Sequence, residues 1–218
     1  MIISTDDKKK DSRTMYDFSV PIAGKDTKIS DIVGPNAKAV LVVNIKQDDP
    51  YARKNIPSML SLASKYGPKG LVVIAVPTDQ GYYEPDTSVL IRLKLNSEYG
   101  YGINPAAVLT DKMNLLGTAS HPFMRWLQGS CRTPQGLGKI QANFEKFLLD
   151  AETGLPLRRY PRKYLPYEMI EDIEALVVNG EHVLPPSSVF YREEWRNAIK
   201  EADADTYRFQ KGLNVFDQ

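Results

Sequence analysis

Thiol and imidazole side chains are scarce in this sequence, which has one cysteine and two histidines among its 218 residues. A single cysteine, Cys131, excludes a disulfide within the chain and also excludes a redox cycle between two cysteines of the same chain. The histidines, His121 and His182, lie far apart in the sequence, so a histidine-based metal site is not expected. We therefore expect neither a metal ion nor another cofactor.

A long apolar run and an excess of charge of one sign are also missing. No segment approaches the roughly 20 apolar residues that a membrane-spanning helix needs, so membrane insertion is not expected. Lysine and arginine number 28 against 27 aspartates and glutamates, which argues against nucleic acid or an anionic membrane as the main partner. The acidic, polar start of the sequence does not fit a signal peptide or a mitochondrial presequence, which favours a soluble intracellular protein. The cytoplasm, including cytoskeletal and axonemal structures, and the mitochondrion stay open as locations.

The chain divides by composition into three segments. A polar tail covers residues 1–14, a folded domain covers 15–178, and an extension covers 179–218. The extension has a stiff Leu-Pro-Pro sequence at 184–186, and its residues 187–207 have the pattern of a helix.

Strand and helix patterns alternate within the domain. Residues 39–45 and 71–76 are apolar runs rich in β-branched side chains, as expected for strands buried on both faces. Helices are predicted at 55–66, 89–95, 121–128 and 167–178, and shorter strands at 16–20, 25–29, 107–109, 144–149 and 157–160. This order predicts an α/β fold with a central mixed sheet and helices on both faces.

Four segments occur in the order, and nearly at the spacing, of corresponding segments in one known family. They are Tyr-Asp-Phe-Ser-Val at 16–20 with Gly-Lys-Asp at 24–26, Val-Val-Asn-Ile-Lys-Gln-Asp-Asp at 42–49, the segment 70–80 with Glu84 and Pro85 after it, and Ile-Gln-Ala-Asn-Phe-Glu-Lys-Phe-Leu-Leu-Asp at 140–150. From about residue 16 to residue 176 the chain resembles the glutathione peroxidase family. The resemblance implies a thioredoxin-like fold.

The resemblance also implies where the family's reactive residues fall in this sequence. Asp49, or Asp48 if the gap is placed differently, stands at the position of the reactive cysteine or selenocysteine. The supporting glutamine and asparagine match Gln80 and Asn143, whereas Ala142 replaces the supporting tryptophan. Peroxide reduction needs a soft nucleophile that can become a sulfenic or selenenic acid, and a carboxylate has no such oxidation state. On this ground the chain is predicted not to be an enzyme, with Asp49, Gln80, Ala142 and Asn143 as a vestigial site.

The sequence allows two interpretations of Asp49. Its carboxylate would replace the family's thiolate as an anion that accepts hydrogen bonds from Gln80 and Asn143. Alternatively, Asp49 is a solvated acidic residue near the N-terminus of a helix, where acidic residues are common.

The extension suggests a function that needs no reactive thiol. It carries aromatic side chains that are typical anchors of an interface: Phe190, Tyr191, Trp195, Tyr207, Phe209 and Phe216. We therefore predict a structural or scaffold subunit that docks through this arm onto other subunits of a larger assembly. The alternative is that the arm folds back onto its own domain.

Two other functions remain open. Cys131 lies in Gly-Ser-Cys-Arg-Thr-Pro at 129–134, which predicts a surface loop in which Arg125 and Arg132 lower the pKa of the thiol. This would suit a residual thiol peroxidase or a redox sensor, although an ordinary exposed thiol is the plainer interpretation. A third function is a ligand-binding module, because Ala142 leaves room where the family has an indole ring.

The run from Arg158 to Lys163 combines basic and aromatic side chains in a way that can bind RNA or an acidic protein. The strands predicted around it favour a solvated edge of a hairpin. Nucleic acid is therefore not the expected partner, although this run leaves it open.

Overall fold

The structure, a computed structural model, describes residues 12–80 and 85–204. The predicted tail lies mostly outside these residues. Three of the aromatic anchors predicted in the extension, Tyr207, Phe209 and Phe216, also lie outside them.

A mixed five-stranded sheet forms the centre of the described chain. In chain order the strands are β1 (Ser19–Ile22), β2 (Lys25–Lys28), β3 (Ala39–Ile45), β4 (Leu71–Pro77), β5 (Ala107–Leu109), β6 (Lys146–Asp150) and β7 (Pro156–Tyr160). The strand order in the sheet is β5-β4-β3-β6-β7, and β1 pairs with β2 in a separate hairpin. Strands β3, β4 and β5 run parallel, whereas β6 and β7 pair antiparallel at the other side of β3.

Helices cover both faces of this sheet. They are α1 (Ile29–Val33), α2 (Ala52–Tyr66), α3 (Ser88–Tyr99), α4 (Pro122–Ser130), α5 (Ile170–Val177) and α6 (Val189–Ala204). Alternate side chains of β3 enter two separate cores, with Leu41 on the side of Met59 in α2 and Val42 on the side of Phe123 in α4. Burial on both faces explains why β3 is apolar at every position except Asn44. The predicted α/β sandwich with a central mixed sheet is therefore confirmed.

Element boundaries differ from the sequence-based ones in two informative places. Helix α2 begins at Ala52, three residues before the predicted start, and the backbone N–H of Asn55 already donates to the carbonyl of Tyr51 at 2.9 Å. The predicted helix 167–178 is instead a 3₁₀ turn at Pro166–Met169 followed by α5. The division into three segments at residues 14 and 178 stays a prediction.

Helix α6 contacts the edge strand β7 through two of the aromatic residues that were expected to bind a partner. Tyr191 and Trp195 are buried, and both donate to the backbone carbonyl of Arg159, at 2.7 and 3.0 Å. These two side chains therefore face their own domain, as in the alternative in which the arm folds back. Phe190 is 46% exposed, although its ring also meets the ring of Tyr164.

No helix in the described part of the chain combines the length and the hydropathy that crossing a membrane would demand.

Candidate functional site

Asp49 lies in the loop that joins β3 to α2, beyond the carboxyl end of β3. Its backbone carbonyl accepts from the N–H of Ala52 at 2.8 Å, and its carboxylate oxygen Oδ1 accepts from the N–H of Tyr51 at 2.8 Å. These contacts satisfy backbone donors that the first turn of a helix cannot satisfy itself. The carboxylate therefore lies at the N-terminus of α2, the position that was predicted from the sequence.

The partner of Asp49 is a cation from a distant part of the chain. Arg162, just after β7, donates from its two terminal nitrogens to the two carboxylate oxygens, at 2.7 Å each. The Asp49 side chain is only 6% exposed, and the guanidinium also lies 4.4 Å from the centre of the Tyr51 ring. Asp49 is therefore a paired anion with little access to solvent, which contradicts its interpretation as a solvated residue.

The two amide side chains of the predicted site behave differently. Asn143 donates from Nδ2 to Asp49 Oδ2 at 3.3 Å, as expected for an anion at this position. Gln80 instead accepts from the backbone N–H groups of Leu115 and Leu116, at 2.5 and 2.7 Å, and donates to the carbonyl of Leu116 at 3.0 Å. Its amide holds the segment that follows β5, so the expectation that Gln80 donates to Asp49 is corrected.

The corner of chain at 141–145 holds Asn143 in place. Asn44 in β3 donates to the carbonyl of Ala142 at 3.0 Å and accepts from the N–H of Glu145 at 3.1 Å. Between them, Phe144 has φ of 62°, a left-handed conformation that is rare for a residue with a side chain. Its N–H donates to the carbonyl of Asn44 at 2.7 Å and its ring is buried, which together offset the strain. Ala142 is half-buried.

One buried oxygen atom at this site accepts no hydrogen bond from the described residues. Asn143 Oδ1 is buried and has no hydrogen-bond partner among the described residues. Asp49 uses both of its oxygens on Arg162, Asn143 and the backbone of Tyr51. Across residues 12–80 and 85–204, no group of three or more His, Cys, Asp and Glu side chains could hold a metal ion.

Cys131 is not in a surface loop, which corrects the sequence-based expectation. Helix α4 runs to Ser130, and the N–H of Cys131 still donates to the carbonyl of Leu127 at 2.9 Å, so the side chain turns into the core. The residue is 1% exposed. Burial raises the pKa of the thiol to about 12, and the cation that opposes this rise is Arg159, not Arg125 or Arg132 as expected.

The basic run from Arg158 to Lys163 is engaged within the chain. Each of its four cations has a carboxylate partner: Arg158 with Asp172, Arg159 with Glu145, Arg162 with Asp49, and Lys163 with Glu201. The Arg159–Glu145 pair is almost fully buried, whereas the Lys163–Glu201 pair is on the surface. The run is thus a set of internal ion pairs as well as the edge of a hairpin.

Sequence reasoning missed Arg162 and Arg159 as residues that shape the site. Consecutive residues of a strand point to opposite faces, so two adjacent arginines in β7 put one guanidinium toward the core. The sequence also contains Glu145 directly before the neighbouring strand β6, and its carboxylate is the one that the buried Arg159 binds. Strand alternation was the available signal, and it predicts that one of the arginines is buried with an acidic partner.

Known proteins resemble this chain both in sequence and in structure. The chain is 30% identical over 191 residues to glutathione peroxidase 1 of Bos taurus, covering 77% of this chain and 91% of the relative. It is 32% identical over 171 residues to a probable phospholipid hydroperoxide glutathione peroxidase of Solanum lycopersicum, covering 76% and 94%. No protein-family model matches the sequence.

Solved structures agree with this relation at the level of the fold. The crystal structure of Trgpx in its apo form has a TM-score of 0.57 and 23% identity, covering 79% of this chain and 99% of that protein. The crystal structure of T. cruzi GPX1 has a TM-score of 0.57 and 19% identity, covering 76% and 97%. These neighbours show a thioredoxin-like fold of the glutathione peroxidase type.

The prediction that this chain is not an enzyme is wrong. Proteins named glutathione peroxidase share about 30% of its residues over most of its length, and this relation points to a peroxidase. The residue at Asp49 was too narrow a basis for the opposite conclusion, because it concerns one position. The match extends over nine-tenths of the length of its bovine relative. The chain therefore belongs to the glutathione peroxidase family.

Proposed function

We propose that this protein reduces hydroperoxides at the expense of external thiols, and that Cys131 is the group that becomes oxidised. The supporting observation is the 30% identity with glutathione peroxidase 1 of Bos taurus over 91% of its length. The chemistry needs a sulfur or selenium nucleophile, and Cys131 is the only cysteine in the sequence. Asp49 is not a candidate for this step, since its carboxylate cannot be oxidised by a peroxide and reduced again by a thiol.

The reaction proceeds in two steps. The Cys131 thiolate attacks one oxygen of the hydroperoxide, the O–O bond breaks, and the alcohol leaves after taking a proton, so that the cysteine becomes a sulfenic acid. Two external thiols then reduce this sulfenic acid, forming water and a disulfide between themselves. Because the chain has no second cysteine, both reducing equivalents come from outside it.

Burial sets the rate of this proposed reaction. With the pKa of the thiol raised to about 12, the folded conformation contains very little thiolate at neutral pH. Reaction therefore requires a local opening of the chain next to α4, where an irregular segment from 131 to 145 separates α4 from β6. Once Cys131 reaches water, its pKa returns towards the ordinary value. Slow turnover that is limited by this opening is expected.

The test is consumption of hydrogen peroxide and of a lipid hydroperoxide by the full chain, with glutathione or thioredoxin as reductant. We expect turnover that Cys131→Ser abolishes and that the neighbouring Ser130→Ala retains. Trapping with a sulfenic-acid reagent, followed by mass spectrometry, should label Cys131 alone. Absence of turnover, or turnover unchanged in Cys131→Ser, would overturn the proposal.

A second candidate function is docking onto another protein, and the first turn of α6 favours it. Val189 and Phe190 are 61% and 46% exposed there. Tyr191 and Trp195 of the same helix hydrogen-bond to β7 and hold the helix against the sheet. A rigidly held apolar pair is suited to an interface because little conformational entropy is lost on binding. This role does not depend on peroxide reduction.

Native size in lysate tests the docking function. The tagged full chain should elute well above its own mass, and Phe190→Ala should shift it towards the monomer. Arg196→Ala, on the exposed part of the same helix, serves as the matched control. Elution of the unmodified chain at the mass of a monomer would contradict the docking function.

A further inference from the structure

We infer that docking of α6 on β7 holds the corner at 141–145 in place, so that release of α6 loosens Asn143 beside Asp49. Arg159 connects the two, because its backbone carbonyl accepts hydrogen bonds from α6 and its side chain binds Glu145 in the corner. This inference goes beyond the proposed function and does not rest on Cys131.

The backbone of Arg159 is the attachment point of α6. Its carbonyl accepts from the hydroxyl of Tyr191 at 2.7 Å and from Nε1 of Trp195 at 3.0 Å. The central carbon of the Arg159 guanidinium also lies 5.6 Å from the centre of the Trp195 ring. All three residues are buried, so α6 covers both the backbone and the side chain of this arginine.

The side chain of Arg159 holds the segment before β6. Its Nε donates to Glu145 Oε2 at 2.7 Å, and the two side chains are 1% and 2% exposed. Its terminal nitrogens donate to the carbonyls of Gly138 and Lys139, at 2.7 and 3.0 Å. One side chain therefore neutralises a buried carboxylate and satisfies two carbonyls of an irregular segment.

Glu145 transmits this contact to the corner. Its other oxygen, Oε1, accepts from the backbone N–H groups of Gln141 and Ala142, at 2.6 and 3.3 Å. Asn143 follows directly in the chain and reaches Asp49 at 3.3 Å. The contacts thus run without a gap from α6 through Arg159 and Glu145 to the candidate site.

Burial makes these contacts move together. A carboxylate that loses its cation inside a protein is strongly destabilised, so Glu145 follows Arg159 when Arg159 moves. If Glu145 shifts, the N–H groups of Gln141 and Ala142 lose their acceptor and become free to exchange with water. The coupling therefore has a direct readout at two backbone amides.

Hydrogen exchange on the full chain tests this inference. Trp195→Phe and Tyr191→Phe each remove one hydrogen bond to the Arg159 carbonyl and keep an aromatic ring. We expect exchange at Gln141 and Ala142 to accelerate by about tenfold in either variant, the effect of losing roughly one buried hydrogen bond. Tyr167→Phe is the matched control, because Tyr167 is 55% exposed, and it should leave exchange unchanged.

The amides of β4 and β5 separate local loosening from general destabilisation. These two strands lie on the other side of β3 from β6 and β7, so their amides should keep their wild-type exchange rates in both variants. Equal acceleration everywhere, or wild-type protection at Gln141 and Ala142, would overturn the inference. Tyr191→Phe, which removes a single oxygen atom, keeps the test available if Trp195→Phe does not fold.

Discussion

Arg162 binds both carboxylate oxygens of Asp49 from a position 113 residues further along the chain, with N–O distances of 2.7 Å. The pair joins the N-terminus of α2 to the end of β7. In the sequence, α2 precedes β6 and β7 follows it. The pair also occupies the place in the fold where the resemblance puts the family's reactive residue. The coupling energy of Asp49 and Arg162 therefore measures how strongly these two elements are joined.

A double-mutant cycle on Asp49→Ala and Arg162→Ala should give a coupling energy of about 2 kcal/mol, because charged hydrogen bonds at a mostly buried carboxylate are stronger than surface ion pairs. The cycle is measured from urea unfolding of the four proteins. The matched control is the pair Lys163–Glu201, whose side chains are 40% and 50% exposed. It should give at most about 1 kcal/mol. Equal coupling in the two cycles would contradict the assignment of Asp49 as a buried, paired anion.

Gln80 should act on stability through the backbone that it holds. Gln80→Ala leaves the N–H groups of Leu115 and Leu116 and the carbonyl of Leu116 without their partner, so the free energy of unfolding should fall by about 2–3 kcal/mol. Gln80→Glu keeps both acceptor contacts and loses the donor, so it should lie between Gln80→Ala and wild type. Chemical denaturation measures the order. If Gln80→Ala has the same denaturation midpoint as wild type, these contacts do not contribute to the free energy of unfolding.

Cys131 should be unreactive until the protein opens. Thiol labelling at neutral pH should be at least about 100-fold slower in the native protein than in denaturant, since a buried, protonated thiol is neither accessible nor nucleophilic. Loss of most of that difference in the native state would mean that the thiol is exposed.

The raised pKa of Cys131 also predicts a dependence of stability on pH. The native thiol titrates near 12 and the unfolded thiol near its ordinary value of 9.0, so the unfolded chain loses its proton first. The stabilisation is complete below pH 9 and decreases by about 1.4 kcal/mol per pH unit as the pH rises from there towards 12. Cys131→Ala should remove this part of the slope in unfolding measured between pH 8 and 11. Identical slopes for the two proteins would contradict the prediction.

Lys146 should give a slope of the opposite sign. It is fully buried and donates to the carbonyls of Pro161 and Arg162, at 3.3 and 3.0 Å. Burial lowers the pKa of its amine well below the ordinary value of 10.5. Between the lowered pKa and 10.5 the unfolded chain binds a proton that the native chain does not, so stability rises with pH in this window.

Lys146→Met isolates that contribution. The variant loses two hydrogen bonds and is expected to be less stable, but its free energy of unfolding should rise less steeply with pH than that of wild type. The comparison uses denaturant titrations from pH 6 to pH 10. An unchanged slope would show that the native amine keeps its proton over this range.

Local sequence patterns predicted the strands better than the starts of the helices. The mostly apolar run 39–45 predicts β3 with its boundaries, because a strand covered on both faces is mainly apolar. Asn44 is the polar exception, and its amide is satisfied by backbone groups of Ala142 and Glu145. Helix starts were less predictable, since α2 begins where Asp49 satisfies the backbone and not where the apolar spacing begins. The four family-like segments located Asp49, Gln80 and Asn143, although only Asn143 contacts Asp49 as expected.

From the sequence by itself came the order of strands and helices, the shared ancestry with glutathione peroxidases, and the supply of a single thiol. The order of elements follows from side-chain spacing, the single thiol from composition, and the ancestry from residue-by-residue similarity to known relatives, all of which are present in the linear chain. Only the tertiary structure decided that Cys131 is buried, that Asp49 pairs with Arg162, and that α6 binds the carbonyl of Arg159. These contacts join residues far apart in sequence, and spacing along the chain does not restrict which distant partner a charge or an aromatic ring will meet.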